Sequence, residues 1–104
     1  MSETDLKEKQ ETAVEIPEDV ILDLDEKMKM DVRETIKKAF SEERFPSKIC
    51  QFIKAKLLEK EEGKWNVILG REFSTYVAHR SRRYGLFKVG EVNVMVWQSG
   101  SALL

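Results

Sequence analysis

Cysteine and histidine are almost missing from this 104-residue chain: Cys50 and His79 stand alone. A single cysteine excludes an internal disulfide framework, and one of each falls short of the roughly four ligands that a structural zinc site needs. Long apolar runs are also absent, and nothing approaches the roughly 18 residues of a membrane span. The opening residues, Met1 to Asp5, are polar and acidic, unlike a secretory leader or an Arg-rich transit segment. These absences set the expectation of a reducing, intracellular setting with no membrane insertion and no cofactor. What is present is 41% hydrophobic and 36% charged residues, enough for one modest core under a charged surface and of a length that suits one domain.

The net charge of −1 hides an asymmetry. Residues 1–26 hold ten acids against two lysines, while residues 27–104 hold sixteen bases against nine acids. An acidic arm ahead of a basic body either folds back over it or keeps itself solvated. Residues 1–16 have few large apolar groups and no sustained period, so they are expected to form a disordered acidic arm. Residues 17–104 are expected to form the domain.

Order is expected from Pro17 onward. The run Val20, Ile21, Leu22 between acids suggests a short strand. Asp25 stands where a helix N-cap belongs, with Glu26 in the first turn. Met28, Val32, Ile36, Ala39 and Phe40 share one helical face, which predicts a first helix over 26–43. Pro46 suits a first helical position, and Ile49, Phe52, Ile53 and Leu57 repeat the spacing, which predicts a second helix over 46–61 with Gly63 as its left-handed stop. After Gly63 the period becomes two. Strands are predicted over 65–70, 73–79, 84–89 and 92–98, with residues 80–83 as a polar connection and Gly90-Glu91 as a tight hairpin. Helices segregated from an antiparallel sheet give an α+β class.

Chemistry is hard to find. His79 has no partner histidine and no nucleophile context, so it reads as a hydrogen-bonded or partly exposed strand residue. Cys50 reads as a small half-buried hydrophobe. Residues 70–73 lack the spacing of a phosphate loop. No catalytic constellation emerges, and an enzyme is not expected. Arg80, Arg82, Arg83 and Lys88 lack the broad basic stripe and stacking aromatics of a nucleic-acid module, so no nucleic-acid partner is expected. Residues 73–79 contain small or polar side chains and no proline or lysine. They suit either an interior strand or an edge open to another chain, and composition does not choose.

The run from Trp65 to His79, followed by Tyr84, Phe87, Gly90 and the ending Trp97-Gln98-Ser99-Gly100, resembles the eight-kilodalton dynein light chain family. Upstream, the residues from Asp23 to Met28 are similar to that family's entry into its first helix, and the likeness runs without a gap from Asp23 to Gly100. The resemblance implies two helices packed on an antiparallel sheet and a strand-exchanged homodimer, in which the segment from about Glu72 to Ala78 is lent to the partner. Two grooves result, each between the lent strand and helix two of the other protomer. Short extended segments of disordered partner proteins, dynein intermediate chain among them, add there as an extra strand. The role implied is that of a non-enzymatic dimerising adaptor, cytoplasmic and cytoskeleton-associated. A narrower alternative is a dedicated subunit of one cytoplasmic or axonemal dynein.

Carried onto this sequence, the peptide-binding positions are Phe73, Ser74, Thr75, Tyr76, Val77, Ala78, Pro46, Ser47, Leu86 and Lys88. The implied dimer-interface positions are Asn66, Glu72, Thr75, Tyr76 and Ser99. Several depart from the family. Pro46 and Ser47 stand where an acid and a lysine usually cap a ligand glutamine, which implies weak binding of glutamine-centred motifs. Ser74 replaces a glycine, Ala78 a threonine, and Leu86 and Lys88 two groove tyrosines. Asn66 replaces the interface histidine whose protonation splits the dimer, so dimerisation without an acid switch is expected. Ser99 matches a serine near the interface, where a phosphate would crowd like charges.

Overall fold

The computed structural model describes residues 16–74 and 78–100. Its elements are β1 (Glu18–Leu24), α1 (Glu26–Glu42), α2 (Pro46–Lys60), β2 (Trp65–Gly70), β3 (His79–Val89) and β4 (Val92–Ser99). The sheet is antiparallel throughout its three pairings, in the order β1-β3-β4-β2. The two helices pack together on one face. This is the expected α+β arrangement.

Local chemistry explains where the helices begin and end. The Asp25 carboxylate accepts from the Met28 backbone N–H at 2.8 Å, satisfying one orphan donor of the first turn of α1. Helix α2 starts on Pro46, and no side chain caps it. It ends at Glu61, whose N–H bonds the Leu57 carbonyl while its own backbone is already extended. Gly63 is therefore not the left-handed cap expected of it. Its φ of +147° serves a different need: an added Cβ would lie 2.4 Å from Gln98 Nε2. Gly63→Ala is expected to cost about 1–2 kcal/mol in a urea melt, through strain at positive φ plus displacement of a buried amide.

The core lies between the helices and the sheet. Met28, Val32, Ile36 and Ala39 of α1 and Ile49, Ile53 and Leu57 of α2 meet Trp65, Phe87, Val89, Val94 and Val96 of the sheet. Each fully buried apolar side chain of this size contributes about 1.5–3 kcal/mol. Both helical stripes read from the sequence are the buried faces, with Phe40 and Phe52 at their margins.

The strands depart from expectation at three places. Strand β1 covers more than 20–22, because Glu18 to Leu24 pair along β3 with an irregularity between Asp19 and Ile21. Residues 80–83 are not a connection; they belong to β3. The pairing slips between His79 and Tyr84, and Arg82 sits at φ 62° within that slip. Polar side chains survive there because both sides of the bulge are occupied: the Arg82 N–H donates to Asp23 Oδ2 at 3.1 Å, and Arg83 turns inward to carboxylates. The expected strand over 73–79 is not present at its described positions before His79. Phe73, Ser74 and Ala78 lie outside any strand, His79 opens β3, and Thr75, Tyr76 and Val77 fall outside the described residues. The Gly90-Glu91 hairpin is as expected, with Gly90 at φ 63° in the first central position, where two-residue turns favour glycine.

Candidate functional site

Strand β2 is a margin of the sheet, since among the described residues only β4 pairs with it. The bond from the Ser99 N–H to the Lys64 carbonyl, 3.0 Å, sets the phase of that ladder. In an antiparallel pair, alternate residues turn both backbone groups toward the neighbour. Asn66, Ile68 and Gly70 therefore face β4, and the N–H and C=O groups of Trp65, Val67 and Leu69 point outward. Helix α2 runs beside this margin. Between them lies an open slot of about 320 Å³, lined by Cys50, Gln51 and Lys54 of α2, by Trp65, Asn66, Val67 and Ile68 of β2, and by Trp97. Unpaired strand groups next to an exposed helix face can accept one more extended chain.

The connection between β2 and β3 is unusual. Both strands are antiparallel to β4, so they run parallel to each other on either side of it. Gly70 lies opposite Asn93 and His79 opposite Ser99. The chain must return along β4 by about 20 Å at a strand's rise per residue. Parallel strands usually need a dozen or more residues and a helix to do this; here only residues 71–78 are available. The start of this passage is pinned by Asn93 Nδ2 donating to the Arg71 carbonyl at 2.8 Å.

The sheet face away from the helices carries Ile21, Tyr84, Leu86, Met95, Ile68 and Trp97 in register across the four strands. Ile21 is 54% exposed, whereas Met95, which accepts a contact from the Tyr84 hydroxyl at 3.3 Å, is buried.

The positions implied by resemblance are scattered within one chain. Pro46 and Ser47 are exposed at the start of α2. Leu86 is half-buried on the face away from the helices, between Ile21 and Met95. Lys88 is exposed between Glu18 and Asn93. Neither Leu86 nor Lys88 lines the slot beside α2. Glu72 and Ser74 are exposed, Phe73 is half-buried, and Ala78 is exposed. The structure does bring Asn66 and Ser99 together: Asn66 Nδ2 donates to Ser99 Oγ at 2.9 Å and to the Lys64 carbonyl at 3.1 Å. His79 behaves as expected of a strand residue. Its ring lies 4.8 Å from Tyr84, and Nδ1 sits 2.9 Å from the Arg80 carbonyl oxygen, which requires Nδ1 to be the donor. Cys50 is half-buried, and burial pushes its thiol pKa up, toward the unreactive form.

Two groupings of residues were not expected from the sequence, although some of their members were read there singly. One is the helix face Cys50, Gln51 and Lys54 along the slot. The other is a polar knot at the C-terminal end of α2. Arg83 grips Glu61 with two bonds of 2.6 and 2.8 Å and reaches Asp25 at 3.0 Å. Gln98, fully buried, donates to Glu61 Oε2 at 3.0 Å and accepts from Arg80 at 3.0 Å. The Glu61 carbonyl receives the Trp65 indole N–H at 2.9 Å. The Arg83 guanidinium holds the Glu61 carboxyl below its usual range, assisted by Gln98. Asp25 is lowered chiefly by the Met28 N–H and next by Arg83. The knot ties the C-terminal end of α2 to β3 and β4. Among the described residues there is no cluster of His, Cys, Asp and Glu suited to a metal ion.

Two helices on one face of a four-stranded antiparallel sheet, with parallel β2 and β3 joined by a short passage, define a dynein light chain-like fold. The family model described as Dynein light chain type 1 matches residues 17–99, and the chain belongs to the dynein light chain family. Solved structures agree on the fold. The dynein light chain-like domain of the Fasciola hepatica calcium binding protein FhCaBP2 superposes with a TM-score of 0.65 at 16% identity, covering 83% of this chain and 93% of that one. Its mercury derivative gives 0.67 at 17% identity, with 82% and 93% covered.

Proposed function

We propose that the protein is a non-enzymatic homodimeric adaptor that holds short extended segments of partner proteins, dynein intermediate chain among them, by strand addition. The observation that carries this reading is the open margin of β2 beside α2, taken with the short passage over 71–78. In one chain the eight residues 71–78 must make the whole return across the sheet. In a dimer, Glu72 to Ala78, with Thr75 and Tyr76 at their centre, serve as a strand lent to the β2 margin of a second copy. That satisfies the outward groups of Trp65, Val67 and Leu69 and brings the apolar far faces of the two sheets near each other. A partner segment then lies between the lent strand and α2, against Phe73, Ser74, Val77 and Ala78 of one protomer and the slot of the other. Two such grooves on one dimer make the second contact of a bivalent partner intramolecular. The family supports a cytoplasmic, cytoskeleton-associated location. Pro46 and Ser47 at the exposed start of α2 favour a narrower alternative, a dedicated subunit of one cytoplasmic or axonemal dynein.

Sedimentation equilibrium tests the dimer. Twice the chain mass is expected at micromolar concentration at both pH 7 and pH 5, because Asn66, hydrogen-bonded to Ser99 at the end of β4, carries no titratable proton. A single-chain mass at pH 7 over the whole concentration range overturns the reading. Dissociation confined to pH 5 assigns the acid switch to another group.

A further inference from the structure

Lys54 is the one charged side chain among the described residues lining the slot. Four lysines elsewhere on the helices pair with a carboxylate at helical spacing: Lys27 with Asp31, Lys29 with Glu26, Lys38 with Glu42 and Lys56 with Glu59. Lys54 has Cys50, Gln51, Leu57 and Leu58 at those offsets, and no carboxylate. It is exposed and has no ion-pair partner among the described residues. The neutral amides of Gln51 and Asn66 complete the polar lining, so no negative charge in the slot competes for the ammonium.

An extended segment entering beside α2 turns every second side chain toward the helix. A carboxylate arriving at Lys54 gains a charge-assisted hydrogen bond in a partly enclosed site, whereas a lysine or arginine arriving there meets a like charge. We infer that the slot selects extended partner segments carrying aspartate or glutamate on the side facing α2, with Lys54 as the specificity-determining residue. The inference rests on the strand-addition reading and adds to it the chemistry of the partner. It also gives a ligand preference to a groove whose helix start, at Pro46 and Ser47, offers no charged group.

Fluorescence anisotropy with three labelled peptides tests it on the full chain. The peptides share an alternating valine and threonine frame and differ only in carrying glutamate, glutamine or lysine at the same alternate positions. The glutamate peptide is expected to bind about tenfold more tightly than the glutamine peptide at low salt, with the ratio shrinking as salt rises. Lys54→Gln should bring the ratio to about one, and Lys54→Glu should reverse it in favour of the lysine peptide. Circular dichroism checks that the exposed substitutions leave the fold intact. Equal binding of the glutamate and glutamine peptides overturns the inference and leaves strand addition standing. A glutamate preference that survives Lys54→Gln removes Lys54 from the role. Failure of all three peptides to bind a sedimenting dimer overturns the docking reading itself, with the second copy as sole occupant of the slot. Binding seen only after residues 1–15 are deleted assigns the slot to the chain's own acidic arm and overturns the assignment to a partner.

Discussion

Arg83→Met is expected to lower the unfolding free energy by about 2–3 kcal/mol, read from urea melts at pH 7. Breaking a fully buried ion pair by removing one partner costs about 3–5 kcal/mol. The Arg83 and Glu61 side chains retain 19% and 27% of their exposure, so solvent screening reduces that figure. Methionine keeps much of the aliphatic stem's packing, and the loss is then mainly electrostatic: Glu61 keeps only Gln98 as a side-chain donor. The double substitution Arg83→Met with Glu61→Gln should recover part of the loss, because no unpaired carboxylate is left behind.

The same pair gives a pH signature. Glu61 titrates lower in the folded state than its unfolded value of about 4.3. Its contribution is therefore complete above that value and is lost as pH falls through the depressed folded value. The gap between wild type and Arg83→Met should hold constant from pH 7 down to about 5 and close below about 4. Asp25 behaves differently. Its chief support is the Met28 N–H, which the substitution leaves in place, so both proteins keep the part of their acid sensitivity that comes from the α1 cap. A gap that stays the same at pH 3 would show that Arg83 acts through packing and not through Glu61.

The contrast between what was legible in the sequence and what was not follows from range. Helices α1 and α2 were readable because their apolar stripes repeat every three or four residues, and because Asp25 and Pro46 mark their starts by local chemistry. The Gly90 hairpin was readable for the same reason. Residues 80–83 misled because three arginines in four positions look like a solvated loop. What keeps them in a strand is Asp23, Asp25 and Glu61, all distant in sequence and adjacent only through the order β1-β3-β4 and the end of α2. Gly63 misled in a similar way, since the buried amide that excludes a Cβ belongs to Gln98. The dimer and groove positions came from resemblance alone. A groove built from two chains has no period in either one, and within a single chain Pro46 lies on α2 while Leu86 and Lys88 lie on β3. Lys54 has no acid three or four residues away on its own helix, but neither have Lys48 and Lys60, so the sequence alone does not single it out.

Val67→Pro is expected to abolish self-association while leaving the fold standing, and it separates the margin of β2 from the strand itself. The Val67 N–H points away from β4, by the ladder phase that the Ser99-to-Lys64 bond sets. Proline at such a position removes no bond from its own sheet, and prolines on edge strands are tolerated where the N–H faces outward. The change in side-chain packing against the core should cost about 1 kcal/mol of stability. A strand arriving at the margin loses one backbone donor and meets the ring, and each of these costs about 1–2 kcal/mol, together about a hundredfold in affinity. The expected result is a chain with wild-type circular dichroism that sediments at single-chain mass at concentrations where wild type is dimeric. Ile68→Pro is the control. Its N–H faces β4, so the substitution breaks the ladder and should destabilise the monomer itself. A Val67→Pro protein that sediments as a dimer with undiminished affinity would place the contact between copies elsewhere than the β2 margin, and the strand-exchange reading would go with it.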